Sequence, residues 1–316
     1  MIVALAGGVG GSKLVLGLAR VLPPGDLTVI VNTGDDEDFY GLRVCPDLDT
    51  VLYTLGSLVD PEQGWGLAEE RFDTLEMLQR YGAATWFRLG NKDLATHLLR
   101  SLWLREGLRL TEVTGRFAAA LGVATRILPM ADAPVATRLM IAADDGAGER
   151  ELAFQEYFVQ RRWRDRVVAV RFAGIEQTAI SREALEAIAA AKAIIFCPSN
   201  PVVSIEPILS VPGMRQAIRS ARCPRVALSP IIGGEAVSGP AARLMADLGR
   251  EPTAVGVARL YADVLSHFIL DTRDAAQRPA VEKLGLQAGV LNTLMSSQEE
   301  KETLARALLR RIGVER

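Results

Sequence analysis

Asp35, Asp36, Asp47 and Asp49 fall within a fifteen-residue span of a chain that has only two histidines, His97 and His267, and three cysteines, Cys45, Cys197 and Cys223. Carboxylates at this density suit a hard cation such as Mg²⁺, which takes oxygen ligands and shares substrate phosphates. No CxxC, HxxxH or HExxH spacing occurs, so a protein-built zinc site is excluded. Each cysteine precedes a proline, which points to strand ends and turns rather than to redox chemistry or a disulfide framework. The acids also have plainer readings. Asp47 can cap a helix running from about Leu48 to Leu55, Asp49 can favour that helix's dipole, and the rest can be solvated.

A second segment faces the opposite charge. Gly7-Gly8-Val9-Gly10-Gly11-Ser12-Lys13 lets backbone N–H groups approach a phosphate closely, and a following helix N-terminus adds partial positive charge. It is not a Walker A motif. It is not a full dinucleotide fingerprint either, because the third glycine position holds Lys13. Four glycines in five residues exceed what a tight turn needs. Two further segments suit ligand contact. Trp86-Phe87-Arg88-Leu89-Gly90-Asn91 sets two aromatics beside a cation, which fits a planar ligand with an anion, and Asn91 can cap the helix that follows. Cys197-Pro198-Ser199-Asn200-Pro201 offers Ser199 and Asn200 to a nucleotide base or sugar, or is only a rigid proline-bracketed turn. Ser229-Pro230-Ile231-Ile232-Gly233-Gly234 can line the same crevice, and His97 reads as a packed helix residue.

The elements that must position these groups follow from periodicity. Ile2 to Ala6 is a short apolar strand, Leu14, Leu18 and Val21 recur at helical spacing, and Leu27 to Val31 is a second strand, giving a βαβ unit. Helices are expected around 48–55, at Phe72, Leu75 and Leu78, over 91–106 with Leu94, Leu98 and Leu102 as the apolar stripe, and over 111–121. Thr137 to Ala143, Phe154 to Val159 and Val167 to Phe172 read as strands, the middle one at an edge. Ala193 to Cys197, Arg225 to Leu228 and His267 to Leu270 read as further strands between helices, with a terminal helix at Leu304, Leu308 and Ile312. The expected fold is α/β: one domain over 1–316, a doubly wound, mostly parallel Rossmann-like sheet, with a helical insertion at about 48–122 after the second strand. In an open sheet of this kind ligands sit beyond the carboxyl ends of the strands, where both acidic and glycine-rich segments fall.

Composition narrows the class further. The 316 residues are 49% hydrophobic and carry 36 Lys+Arg against 38 Asp+Glu, so a core can form and no excess positive charge exists for a nucleic-acid track. No run of about 18 apolar residues and no signal-like leader is present, so a cytoplasmic protein without membrane association is expected.

GGVGGSK, NTGDD, CPDLDTVLYTL, WF-x-LG-x-x-DLATHL, CPSNP-x-x-SI-x-PIL and SPIIGG, in this order over most of the chain, resemble the 2-phospho-L-lactate transferases (CofD-like) of coenzyme F420 biosynthesis. The resemblance implies transfer of a phospho-three-carbon-acid group from a GDP-activated donor to the ribityl hydroxyl of the deazaflavin Fo. The products would be coenzyme F420-0, or its dehydro form, and GMP. It also implies Mg²⁺ and a homodimer. Asp49 and Arg88 match the family's Fo-contacting positions, with Trp86 and Phe87 beside them. On this reading Gly7, Gly8, Gly10, Gly11, Ser12 and Lys13 hold the diphosphate, and Ser199 and Asn200 the guanosine. Asp35, Asp36 and Asp49 hold metal, and Asp36 and Asp49 are the catalytic candidates. The rivals are a non-enzymatic nucleotide-sugar-binding regulator of the gluconeogenesis-factor type and an NAD(P)-dependent dehydrogenase.

Overall fold

Strand β1, Ile2–Ala6, is buried along its whole length, which is why its sequence is an unbroken apolar run rather than an alternating one. Its side chains divide between two cores: Val3 and Leu5 enter one face, and Ile2, Ala4 and Ala6 the other. In this computed structural model, which describes residues 1–142, 148–237 and 239–314, β1 sits inside a seven-stranded sheet. The other strands are β2 (Leu27–Val31), β3 (Arg126–Pro129), β4 (Ala193–Phe196), β5 (Arg225–Leu228), β6 (His267–Asp271) and β7 (Gln287–Leu291). Their order is β7-β6-β5-β4-β1-β2-β3, and every neighbouring pair is parallel. The chain leaves β1 toward β2 and β3, then returns to β1's other edge as β4. The crevice between the ends of β1 and β4 is therefore the topological switch point, where open α/β sheets bind ligands.

Helix α1, Gly8–Val21, starts directly after β1 and buries Leu14, Val15 and Leu18 against the sheet, about 1.5–3 kcal/mol for each large apolar side chain. The segment between β2 and β3 is the expected insertion. It opens with a hairpin, Glu37–Phe39 and Leu42–Val44, whose turn residues Tyr40 and Gly41 both have positive φ, 54° and 76°, as a two-residue hairpin loop requires. Helix α2 (Pro46–Leu55) and the helix Asp73–Arg80 follow, then α3 (Asp93–Arg105) and α4 (Leu110–Ala120). Helix α5, Gln298–Arg311, packs on α1 so closely that a Cβ on Gly17 would strike the backbone of Lys301.

Three expectations need correction. Phe154 to Val159 is not a strand: Glu156–Gln160 is a π-helical turn, with Phe154 stacked on Phe158, four residues on, at 5.3 Å. Aromatic spacing of four is helical spacing. Ala136–Ala142 and Val167–Ala173 do form strands, but in a separate antiparallel sheet with Glu149–Ala153, the middle strand being Ala136–Ala142; Ala143 lies outside the described residues. The third correction is to α3, whose leucines do not form its buried stripe: Leu98, Leu99 and Leu102 are 54%, 42% and 44% exposed, and the buried residues are His97, Arg100 and Ser101. No helix among the described residues is long and apolar enough to cross a membrane.

Candidate active site at the switch point

The glycine segment and the β4 turn meet at this crevice. The Gly7 amide donates to Ser199 Oγ at 3.1 Å, joining residues 192 positions apart. A Cβ on Gly10 would lie 2.6 Å from the Pro198 carbonyl oxygen, and one on Gly7 2.6 Å from an Asp47 oxygen. Those glycines therefore let the two loops close on each other. Helix α1 has no acid of its own in its first turn, and its N-cap, Gly7, has no side chain to cap it, so partners for its first amides must come from other segments. Ser12 is buried and donates to the Val9 carbonyl at 2.9 Å. Lys13 raises the local potential enough to help burial depress Lys301 on α5. Asn200 Oδ1 accepts from the amides of Val202 and Val203, and Ser199 accepts from Gly7. Both thus make the rigid turn that was the simpler reading of this segment.

Asp47 does not cap its own helix, which begins at Pro46 with Cys45 as an uncapped N-cap. Its Oδ1 instead accepts from the Gly8 amide at 2.7 Å, and its Oδ2 from Asn32 Nδ2 at 2.9 Å. The carboxylate thus clamps α1, α2 and the end of β2. Asn32 completes the clamp by donating to the Val203 carbonyl and accepting from the Gly34 amide. Burial pushes Asp47 up to about 6, with the Asn32 and Gly8 hydrogen bonds opposing it. Asp35 and Asp36 follow the same rule. Burial, then the charge of Asp47, raises Asp35 well above the ordinary carboxylate range. Burial pushes Asp36 up to about 7 against the pull of Arg43, a Cys45 hydrogen bond and Arg100. One oxygen of each, Asp35 Oδ1 and Asp36 Oδ1, is sealed from solvent with no hydrogen-bond partner among the described residues. Two sequence-adjacent carboxylates that each keep an unpartnered, hard oxygen are the kind of donor that Mg²⁺ takes.

Asp49 has a different setting. Its carboxylate forms a two-point pair with Arg100, NH1 to Oδ2 at 3.0 Å and NH2 to Oδ1. Both side chains are almost wholly buried, at 5% and 1% exposure. Arg100 NH1 also lies 3.2 Å from His97 Nδ1 and 3.4 Å from the Arg43 carbonyl. His97 Nε2 stands 3.1 Å from Asp93 Oδ2, and the Tyr53 hydroxyl donates to Asp93 Oδ1 at 2.6 Å. Burial works to raise Asp93, but His97, Tyr53 and Arg100 together hold it below its usual range. Asp49, Asp93 and His97 bring ligand atoms within 4.8 Å of one another, yet the cation on Asp49 is already Arg100. Sequence reasoning missed Arg100. Its signal was the polar stripe Asp93, His97, Arg100 at helical spacing, masked by the louder leucines beside it.

The aromatic segment lies against the β2-end hairpin. Phe87 stacks on Phe39 at 3.9 Å, Trp86 meets Phe39 edge-on at 5.5 Å, and the Tyr40 hydroxyl holds the Ala84 carbonyl at 2.6 Å. Trp86 and Phe87 are half-buried, and Arg88 is exposed with its guanidinium 4.1 Å over the Phe72 ring. Asn91 does not cap α3. It accepts from Thr74 N and donates to Asp73, while Glu70 receives the Lys92 and Asp93 amides. Among the described residues, then, Asp47 and Ser199 meet the glycine segment directly, Asp35 adjoins Asp47, and Asp36 lies near Arg43, Cys45 and the Arg100–Asp49 pair. Asp49 adjoins them through α2, and the aromatics sit beyond the hairpin.

Comparison with known proteins gives the fold and the family. A UPF0052-family protein from Bacillus halodurans has the same fold, with a TM-score of 0.63, 15% identity and 98% of each chain covered. The phosphoenolpyruvate transferases of Streptomyces griseus and Kitasatospora aureofaciens are 43% and 44% identical over 98% of this chain and 97% and 96% of theirs. The 2-phospho-L-lactate transferase of Methanosarcina barkeri is 40% identical over 96% of both chains. The family described as 2-phospho-L-lactate transferase CofD matches residues 2–297. A match of that extent settles membership: this chain belongs to the CofD family of transferases.

Proposed function

We propose that this transferase moves a phospho-three-carbon-acid group from a GDP-activated donor to the ribityl hydroxyl of the deazaflavin Fo. The hydroxyl oxygen bonds to the phosphorus that carries the acid, the bridging P–O bond breaks, and GMP leaves. The hydroxyl proton passes to a loop carboxylate, for which Asp36 and Asp49 are the candidates. Such a transfer needs positioning and charge neutralisation more than a covalent nucleophile. The observation that carries the reading is the meeting of the glycine-rich start of α1 with the Ser199 turn and the Asp47 carboxylate, with unpartnered oxygens of Asp35 and Asp36 buried on the loop after β2.

Asp35 and Asp36 are the residues that would hold Mg²⁺, which when bound neutralises charge on the transferred phosphoryl group. Gly10, Gly11 and Lys13 frame the diphosphate, and Ser199 and Asn200 shape the guanosine side. Asp49 receives a hydrogen bond from the acceptor hydroxyl, and Arg88 with Trp86 and Phe87 borders the deazaflavin. The names of the relatives divide between phosphoenolpyruvate and 2-phospho-L-lactate, so the three-carbon acid is to be read from the assay. Purified protein is incubated with Fo, Mg²⁺ and GDP-activated lactate or enolpyruvate, and the products are examined by mass spectrometry. GMP with a phospho-acid deazaflavin is expected. No turnover with either donor, together with tight nucleotide-sugar binding, would leave the regulator reading in its place. We propose further that the enzyme is a homodimer, which light scattering measures directly.

A further inference from the structure

Helix α3 buries its polar face and exposes its leucines, the reverse of what hydrophobic burial favours. Trp103 and Leu104 pack on the core at its C-terminal end, but over its first two turns the buried contacts are polar. Asp93, His97 and Arg100 are spaced i, i+4 and i+7, one stripe on one face. The end of that stripe, Arg100, grips Asp49 with two nitrogens. A buried ion pair contributes little net stability compared with apolar residues of similar volume. The pair is therefore poorly explained as a device for stability alone.

We propose that Arg100 is a positioning residue for the transfer, fixing the Asp49 carboxylate in one orientation toward the acceptor hydroxyl, and that His97 and Asp93 fix Arg100 in turn. The inference rests on the role given to Asp49 under the proposed function. A guanidinium only donates, so the 3.2 Å contact makes His97 Nδ1 an acceptor and puts the ring proton on Nε2, facing Asp93 across 3.1 Å. His97 thus stands between Arg100 and Asp93, whose own carboxylate is held by Tyr53, which also meets Thr96; His97 Nε2 is near Asp93 without forming a well-aligned hydrogen bond. The planar fork presents both Asp49 oxygens edge-on and leaves each a second lone pair for substrate. A lysine could supply the charge but not the fork.

The test measures Fo binding, by the optical change of the deazaflavin, and kcat with separate KM values for donor and acceptor. It uses Arg100→Met, Arg100→Lys, Asp49→Asn and the Arg100→Met/Asp49→Asn double variant, with a melting curve for each. Arg100→Met should lower kcat about 100-fold and weaken Fo, leaving the donor KM within about twofold of wild type. Arg100→Lys should recover part of that loss. The double variant should be no worse than Asp49→Asn, because Arg100 acts only through Asp49. If Arg100→Met does not fold, the Lys variant carries the comparison. Arg100 variants that bind Fo and turn over like wild type would overturn the proposal while the transferase reading stands. Losses that multiply in the double variant would do the same. Wild-type protein that fails to bind Fo would overturn both.

Discussion

Asp47 and Asp49 are two residues apart on one helical turn, equally buried, and chemically unlike. Asp47 meets only neutral donors, the Gly8 amide and the Asn32 amide, and its proton affinity rises to about 6. Asp49 meets a full cation and is committed to it. Burial alone therefore does not tell what an acid will do. With only neutral donors, as at Asp47, burial pushes the carboxyl up; at Asp36 it does so even against Arg43 and Arg100. At Asp49 a two-point guanidinium contact fixes the orientation of the carboxylate.

Substitution at both positions is the strongest way to break this contrast. Asp49→Asn should lower kcat by about 10²–10³ and cost about 3–5 kcal/mol by leaving Arg100 buried and unpaired. Asp47→Asn keeps an oxygen for the Gly8 amide but turns an NH2 toward Asn32 Nδ2, and should cost about 1–3 kcal/mol. Equal losses from the two variants in denaturant melts would dissolve the distinction.

The next effect concerns protons and Mg²⁺. Asp36 and Asp47 bind a proton more tightly folded, at about 7 and about 6, than unfolded, at about 4. Their contribution to stability is thus full below about pH 4 and is lost as pH rises through 6 and 7. In metal-free protein, melting temperature plotted against pH should fall less steeply over that window in Asp36→Asn than in wild type. Mg²⁺ should raise the wild-type melting temperature more at pH 8 than at pH 5, since only the ionised carboxylates compete well for it. A Mg²⁺ effect independent of pH, or intact in Asp36→Asn, would detach the metal from this loop. The smallest effect is steric: Gly10→Ala pushes a methyl to 2.6 Å from the Pro198 carbonyl and should cost about 1–3 kcal/mol in a denaturant melt.

The same contrast explains what was legible in the sequence. β1, β2, β4, β5 and β6 are short, apolar and bounded by turn residues, and each was anticipated. The two edge strands were not. Arg126–Pro129 begins with an exposed arginine and ends in proline, and Gln287–Leu291 carries Gly289, where a Cβ would lie 2.7 Å from Ile269 Cδ1. Edges tolerate such residues because one side of the ladder is open. The acids and glycines at the β1 and β2 ends stood out by type. Arg100 did not, because its partner is 51 residues away and leucine periodicity named the wrong face of α3. Pattern reports what is apolar; only tertiary contact reports which charge has been answered.

The bond from Gly7 to Ser199 has a consequence in time. β1 is synthesised before its neighbour β4, which begins 187 residues after β1 ends, at Ala193. Until then one edge of a wholly apolar strand has no native partner, and the glycine loop lacks the turn that shapes it. A nascent or truncated chain ending before about residue 200 would carry every acid of the site without its far wall. It would also present an open strand edge prone to association. Assembly of the crevice is therefore a late event, completed only when the second half of the sheet returns to the first strand.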